Sequence, residues 1–288
     1  PMPIDAQAVA RGAYLARAGN CAACHSRRGG APYAGGKGLA TPFGTVYAGN
    51  LTPDPDTGLG RWSVEDFRRA LHEGRSRDGR LLAPAFPYPE YTRLHTADVD
   101  ALFAYLRSLA PVHQPNRPHE LRFPYGTQSA LALWRLMYFT PGRLAVQPER
   151  SDTWNRGAYL VRGLGHCEAC HAPRNRAGAT VRGDELGGGL IPMQRWYAPS
   201  LAAPSEGGVQ DWPIDDIVRL LRDGRSARGV ALGPMAEVVM SGTQHLSAAD
   251  LRAMAEYLHT LPRQVSAEAP PAVELPPGTP EAGARLYG

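Results

Sequence analysis

Four cysteines occur in the 288 residues, and each pair is followed at once by a histidine: Cys21-Ala22-Ala23-Cys24-His25 and Cys167-Glu168-Ala169-Cys170-His171. Cys-x-x-Cys-His is the attachment pattern of haem c. The two thiols join the haem vinyl groups as thioethers, and the adjacent histidine reaches the iron from the proximal side. A lone Cys-x-x-Cys can also be half of a zinc site or a thiol redox pair. A zinc ribbon needs its two pairs about 12–20 residues apart, whereas Cys21 and Cys167 are 146 positions apart. Neither alternative asks for a histidine directly after both pairs. The motifs therefore predict two covalently bound haems, with Cys21, Cys24, His25, Cys167, Cys170 and His171 as their protein partners.

The sixth position on each iron needs a separate reading. Methionine there raises the reduction potential of a His-ligated haem. Met235 lies in Gly233-Pro234-Met235-Ala236-Glu237-Val238-Val239, 64 residues beyond His171. A Gly/Pro-rich loop ahead of a last helix is a poor core element and suits a ligand loop, so Met235 is the expected distal ligand of the second haem. The equivalent stretch of the first half, Ala83-Pro84-Ala85-Phe86-Pro87-Tyr88-Pro89-Glu90-Tyr91, has no methionine. Phenylalanine cannot bind iron. Five-coordinate iron, a bound water and a recruited side chain all stay open for the first haem. The candidates are His95, Met137 and, less favoured, Tyr88 and Tyr91. His95 aligns with Ser247 at a helix-capping position, which argues for a structural use.

The elements that must hold these residues are duplicated. Arg11-Gly12-Ala13-Tyr14-Leu15 precedes the first motif and Arg156-Gly157-Ala158-Tyr159-Leu160 the second. Trp62, Gly74-Arg75-Ser76 and Pro84 match Trp212, Gly224-Arg225-Ser226 and Pro234 at one constant offset. Asp98 and Tyr105 match Asp250 and Tyr257. The expected fold class is all-α: two tandem cytochrome c domains joined by a long packed linker. In each unit a first helix delivers the chain to the motif, and Gly12 or Gly157 admits close approach of the last helix. Ser63, with Asp66 three residues on, predicts a helix start at Val64. The last helices are expected over Thr96 to Leu106 and from Ser247 through Met254 to Leu258.

The expected boundaries are 1–110 for the first domain, 111–152 for the linker and 153–264 for the second domain. The linker is too long and apolar to be a free tether, and Ala130 to Tyr138 reads as a short helix packed between the domains. Residues 265–288 read as a Pro-rich linker and the start of a third domain. Glu281-Ala282-Gly283-Ala284 repeats the lead-in to each motif, so a further cysteine falls due just past residue 288. A third haem is therefore expected in the full-length protein.

Hydrophobic residues make up 43% of the chain, enough for buried cores, and Gly 32 with Pro 27 suits loops wrapped around a flat cofactor. The net charge of +4 is mild and has no concentrated basic run, so nucleic acid is not an expected partner. No apolar run of about 18 residues predicts a membrane-spanning helix. Haem c maturation outside the bacterial cytosol implies the periplasm.

The chain resembles the multihaem, usually three-haem, cytochrome c subunits of periplasmic membrane-associated bacterial dehydrogenases. The resemblance rests on Trp154-Asn155-Arg156-Gly157-Ala158-Tyr159-Leu160, Gly163-Leu164-Gly165-His166-Cys167, Cys170-His171-Ala172-Pro173-Arg174-Asn175 and Gly233-Pro234-Met235-Ala236-Glu237-Val238-Val239. It implies electron transfer from a catalytic dehydrogenase subunit, a molybdenum hydroxylase or a flavin or quinoprotein enzyme, to membrane quinone or another cytochrome. It also implies peripheral attachment to the inner membrane through the partner or the C-terminal region. In the alcohol and sugar branch the first distal loop looks like Pro-Ala-Met-Pro-Tyr. The phenylalanine version here is similar to the branch paired with molybdenum hydroxylases acting on nicotinate, isoquinoline or aldehydes. No Ser/His/Asp or paired-carboxylate pattern gives the chain a catalytic site of its own. The competing reading is a dihaem peroxidase with an open first haem, for which Glu90 or His95 would have to serve as the acid–base group.

Overall fold

In the computed structural model the described residues are 5–264. The expected start of a third unit lies outside the described residues. Helix α1 (Ala6–Ala18) begins where the Asp5 carboxylate accepts a hydrogen bond from the Gln7 N–H. A left-handed residue, Asn20 at φ 49°, breaks the chain before the short helix α2 (Cys21–His25) carries the first motif. A two-strand hairpin follows, β1 (Gly38–Thr41) and β2 (Gly44–Tyr47), then helix α3 (Val64–Glu73). The Ser63–Asp66 signal is realised as a capping box: Ser63 Oγ accepts from the Asp66 N–H, and the Asp66 carboxylate accepts from the Ser63 N–H. The short helix α4 (Tyr88–Tyr91) and helix α5 (Thr96–Ser108) close the first repeat.

Beyond it lie β3 (Glu120–Leu121), α6 (Gln128–Tyr138) and then α7 (Asp152–Tyr159), which opens the second repeat. The second motif sits on α8 (Glu168–His171), followed by the hairpin β4 (Gly189–Ile191) and β5 (Trp196–Ala198). Helices α9 (Ile214–Asp223), α10 (Pro234–Ser241) and α11 (Ala248–His259) complete it. The chain is mainly helical, and the all-α expectation needs correcting for these strands. Helical spacing carries no information about a short loop that doubles back on itself. Thr41 pairs with Gly44 across a two-residue turn, and β2 then pairs with β3 from the linker.

The first and last helices of each repeat cross at the expected glycine. A methyl group on Gly12 would lie 1.9 Å from the Ala101 carbonyl oxygen, and one on Gly157 lies 1.9 Å from that of Ala253. Tyr105 and Tyr257 pack at the same two crossings. One spacing difference also finds its structural cause. Cysteine follows the crossing glycine by 9 residues in the first repeat and by 10 in the second. In the first, Gly19 N–H bonds back to Leu15 O; in the second, Gly165 N–H bonds to Leu160 O, one residue further. A π-helical turn over Leu160–Leu164 thus absorbs the extra residue.

The repeats share one apolar core, in which Leu15, Leu94 and Leu102 join Leu160, Leu164 and Leu251. They also exchange hydrogen bonds. Tyr14 OH donates to Asp250 at 2.6 Å, and Tyr159 OH donates to Asp98 at 2.6 Å. Each aspartate also takes the arginine of its own repeat, Arg156 on Asp250 and Arg11 on Asp98. The stretch between the repeats makes hydrogen bonds to both of them. Asn50 donates to Val112 O, while on α6 Gln128 bonds the Leu81 backbone and Trp134 Nε1 donates to Ala177 O of the second repeat.

Candidate haem sites

The two Cys-x-x-Cys-His motifs are presented alike. Each begins after a non-glycine residue in the left-handed region, Asn20 at φ 49° and His166 at φ 39°. His25 Nδ1 lies 2.7 Å from Gly49 O, and His171 Nδ1 lies 2.8 Å from Pro199 O. A carbonyl only accepts, so Nδ1 carries the proton and Nε2 keeps its lone pair for a metal. Burial lowers both histidine pKa values, which favours the neutral, ligating form. These carbonyl partners were not read from the sequence. The available signal was that Gly49 and Pro199 fall at the same offset as Trp62 and Trp212.

Burial pushes the Cys21 and Cys167 thiols up to about 12. Cys24 and Cys170 are raised as well, with Lys37 and Arg174 opposing the rise. Those two cations play matching parts: Lys37 Nζ donates to Ala23 O at 2.7 Å, and Arg174 donates to Ala169 O at 2.7 Å, each fixing a carbonyl inside a motif. The zinc alternative lacks ligands. Among the described residues no group of three or more His, Cys, Asp or Glu side chains is placed to hold a metal ion.

Cys24 and Cys170 both line a single cleft of about 1540 Å³ that also takes in Glu90, Arg93, Glu168 and Trp134. The Cys170 thiol is raised mainly by burial and in part by Cys24. Paired thiols on an apolar-walled cleft, each beside a histidine with a free Nε2, fit haem c. His25, His171, Met235 and the inner cysteines Cys21 and Cys167 are not in the cleft wall itself.

Met235 is the second residue of α10, not part of a loop as expected, and is partly buried against the core. Gly233 at φ 52° turns the chain, and Pro234 with its fixed φ starts the helix. On the first-repeat side, Phe86 is partly buried, its ring 5.6 Å from that of Tyr91. The recruited-ligand candidates are committed elsewhere. The exposed His95 stacks on Tyr159 with ring centres 4.5 Å apart, and Met137 is 48% exposed on α6. Tyr88 is fully buried with its ring against Phe139 and Trp134, and Tyr91 meets His166 edge-on.

One charged cluster was also missed. Glu168, the first residue between the cysteines of the second motif, is 2% exposed. It takes Arg93 from the first repeat at 3.1 Å and Arg162 at 3.0 Å. Glu90, 6% exposed, stands nearby, and no ion pair reaches it among the described residues. Burial first, then the charge of Glu168, raise its pKa to about 7.

The family model "Cytochrome c" matches residues 9–110. A nicotinate dehydrogenase subunit of Pseudomonas putida is 46% identical over 275 residues, covering 94% of this chain and 23% of that protein. The gluconate 2-dehydrogenase cytochrome c subunit of Pantoea cypripedii is 43% identical, covering 88% and 59%. A diheme cytochrome c-type of Cereibacter sphaeroides is 37% identical, covering 88% and 86%. The chain belongs to the c-type cytochromes, haem c proteins whose work is electron transfer. It is also similar to the cytochrome c subunits of bacterial gluconate and alcohol dehydrogenases. It spans between about a quarter and three fifths of the length of the first two relatives named. None of these relatives is named as a peroxidase, so the peroxidase reading gains no support.

Proposed function

We propose that the chain holds two haem c groups in two tandem cytochrome c domains, residues 1–110 and 153–264. Haem one is bound by Cys21, Cys24 and His25, and haem two by Cys167, Cys170, His171 and Met235. The pair passes electrons in the periplasm from a catalytic dehydrogenase subunit to quinone or another cytochrome. The observation that carries the reading is the matched pair of Nδ1–carbonyl bonds at His25 and His171, which leaves each Nε2 free beside its own cysteine pair. The shared cleft with Cys24 and Cys170 in its wall supports electron exchange between the two groups. No helix among the described residues is long and apolar enough to cross a membrane, so membrane association is assigned to a partner or to residues beyond those described. Phe86 and the similarity to a nicotinate dehydrogenase subunit favour an upstream enzyme that oxidises an N-heterocycle.

The test is chemical and redox together. The protein expressed with haem c maturation should show two haems per chain by pyridine haemochrome. Rapid mixing with the reduced dehydrogenase it is expressed beside should reduce both. A single haem per chain, or fast peroxide turnover with a reduced cytochrome donor, would overturn the proposal.

A further inference from the structure

Glu90 is a carboxyl group with no evident structural task. It follows the first repeat's distal segment, is 6% exposed, and lines the cleft that also holds Cys24 and Cys170. The two cations near it are placed otherwise. Arg93 donates to Glu168 and to the Arg162 carbonyl, while Arg174 donates to the Ala169 and Gly178 carbonyls. Glu168, the other buried carboxylate on the cleft wall, has two arginines; among the described residues Glu90 has no ion-pair partner. His166, Lys37, Arg176, Arg182, Glu185 and Glu237 also stand on the cleft wall, with the phenols of Tyr125, Tyr138 and Tyr197.

We propose that Glu90 is a proton-binding site coupled to the oxidation state of the haems attached through Cys24 and Cys170, the two cysteines that share its cleft. An electron delivered by the upstream donor reduces one ferric haem, and one solvent proton forms an O–H bond on the Glu90 carboxylate. Reoxidation releases both. The inference rests on the two-haem reading above and adds a function to it.

The physical basis is charge balance. Reduction removes one unit of positive charge beside the cleft, which tightens proton binding by a carboxyl buried in its wall. The effect is roughly tenfold or more in affinity for a partly buried neighbour. Glu168 is paired with Arg93 and Arg162, whereas no ion pair among the described residues reaches Glu90. Glu90, held up to about 7 by burial and by the Glu168 charge, lies where the change alters occupancy near neutral pH. The sign follows by linkage. Below the oxidised-state pKa the group is protonated in both redox states, and above the reduced-state pKa it is ionised in both. Between the two, the potential falls as pH rises, by up to tenfold in the redox equilibrium per pH unit, which is about 59 mV for one electron.

The experiment is spectroelectrochemical titration of the two-haem protein across roughly pH 5 to 9, spanning the Glu90 region. The wild type should show the falling segment for at least one haem. Glu90→Gln should flatten it with haem content and visible spectrum unchanged. Glu168→Gln removes the neighbouring negative charge and should move the segment to lower pH. An unchanged slope in Glu90→Gln, or a segment in Glu168→Gln that stays put or moves up, would overturn the inference. Should Glu90→Gln fail to assemble, the wild-type infrared redox difference spectrum decides: a carboxylic C=O band must grow on reduction, and its absence overturns the proposal. A haem count of one would sink the two-haem reading itself, whereas two haems without a Glu90-dependent slope would sink only this inference.

Discussion

His25 and His171 hold their carbonyl partners at 2.7 and 2.8 Å, yet the segments expected across from them part company: Phe86 stands in one repeat and Met235 opens a helix in the other. The proximal half of each site is built from local backbone, a left-handed residue and a five-residue motif. Any shift there would misplace both thiols and the imidazole at once. The distal half is one side chain on a separate segment, which can change without disturbing the attachment. On the proposed reading, duplication has kept what three bonds to one haem require and varied what tunes its potential.

The largest test of this comparison removes an attachment. Cys21→Ala with Cys24→Ala should leave one covalent haem per chain, and Cys167→Ala with Cys170→Ala should do the same, by pyridine haemochrome. Loss of both haems from either variant would show that the repeats are not independent attachment sites. Next come the crossings. Gly12→Ala and Gly157→Ala each drive a methyl to 1.9 Å from a backbone oxygen that cannot swing away. Each should cost about 2–4 kcal/mol, read as a drop in Tm of roughly 2–4 °C per kcal/mol. The two costs should agree, because the contact distances agree; a large disagreement would break the equivalence of the repeats at their helix crossings.

Much of this scaffold is legible along the chain. Ser63 and Asp66 announce α3, the Ala130 to Tyr138 stretch reads as a helix that in fact starts at Gln128, and Gly12 and Gly157 mark crossings because only glycine admits the facing carbonyl. What stays hidden is non-local. The Gly49 and Pro199 carbonyls have no side-chain signature. The Tyr14–Asp250 and Tyr159–Asp98 exchange joins residues more than sixty positions apart. The bond from Arg93 to Glu168 likewise crosses between repeats. The extra residue before Cys167 is visible as a number, but its conversion into a π-helical turn needs the backbone. Met235 is expected on a loop, whereas the helix that carries it follows from Gly233 and Pro234 acting together.

A smaller effect sharpens the distal contrast. Met235→Ala should lower one potential by on the order of a hundred millivolts, within the roughly 0.8 V span that axial ligands set. The methionine–iron absorption of the oxidised protein should vanish with it. Phe86→Met should add such a signature to the other haem. If Met235→Ala leaves spectrum and potentials untouched, the second site takes its sixth ligand from elsewhere.

The smallest predicted difference lies between the two exchanged tyrosines. Both hydroxyls donate at 2.6 Å to an aspartate of the other repeat, but their surroundings differ. Tyr159 is 3% exposed, and Asp98, its acceptor, is 1% exposed. Removing that hydroxyl leaves a buried carboxylate with Arg11 alone; the His95 N–H loses its acceptor just as the Ser247 N–H would at Tyr14. Tyr14 is only half-buried, and Asp250 keeps two bonds from Arg156 whatever happens to Tyr14. Leaving a buried polar group short of a partner costs about 1–3 kcal/mol, while an ordinary hydrogen bond nets about 0.5–1.5 kcal/mol. Tyr159→Phe should therefore lower the denaturation midpoint more than Tyr14→Phe, with haem content unchanged in both. Equal losses would mean that the arginines, not burial, decide what each exchanged bond contributes.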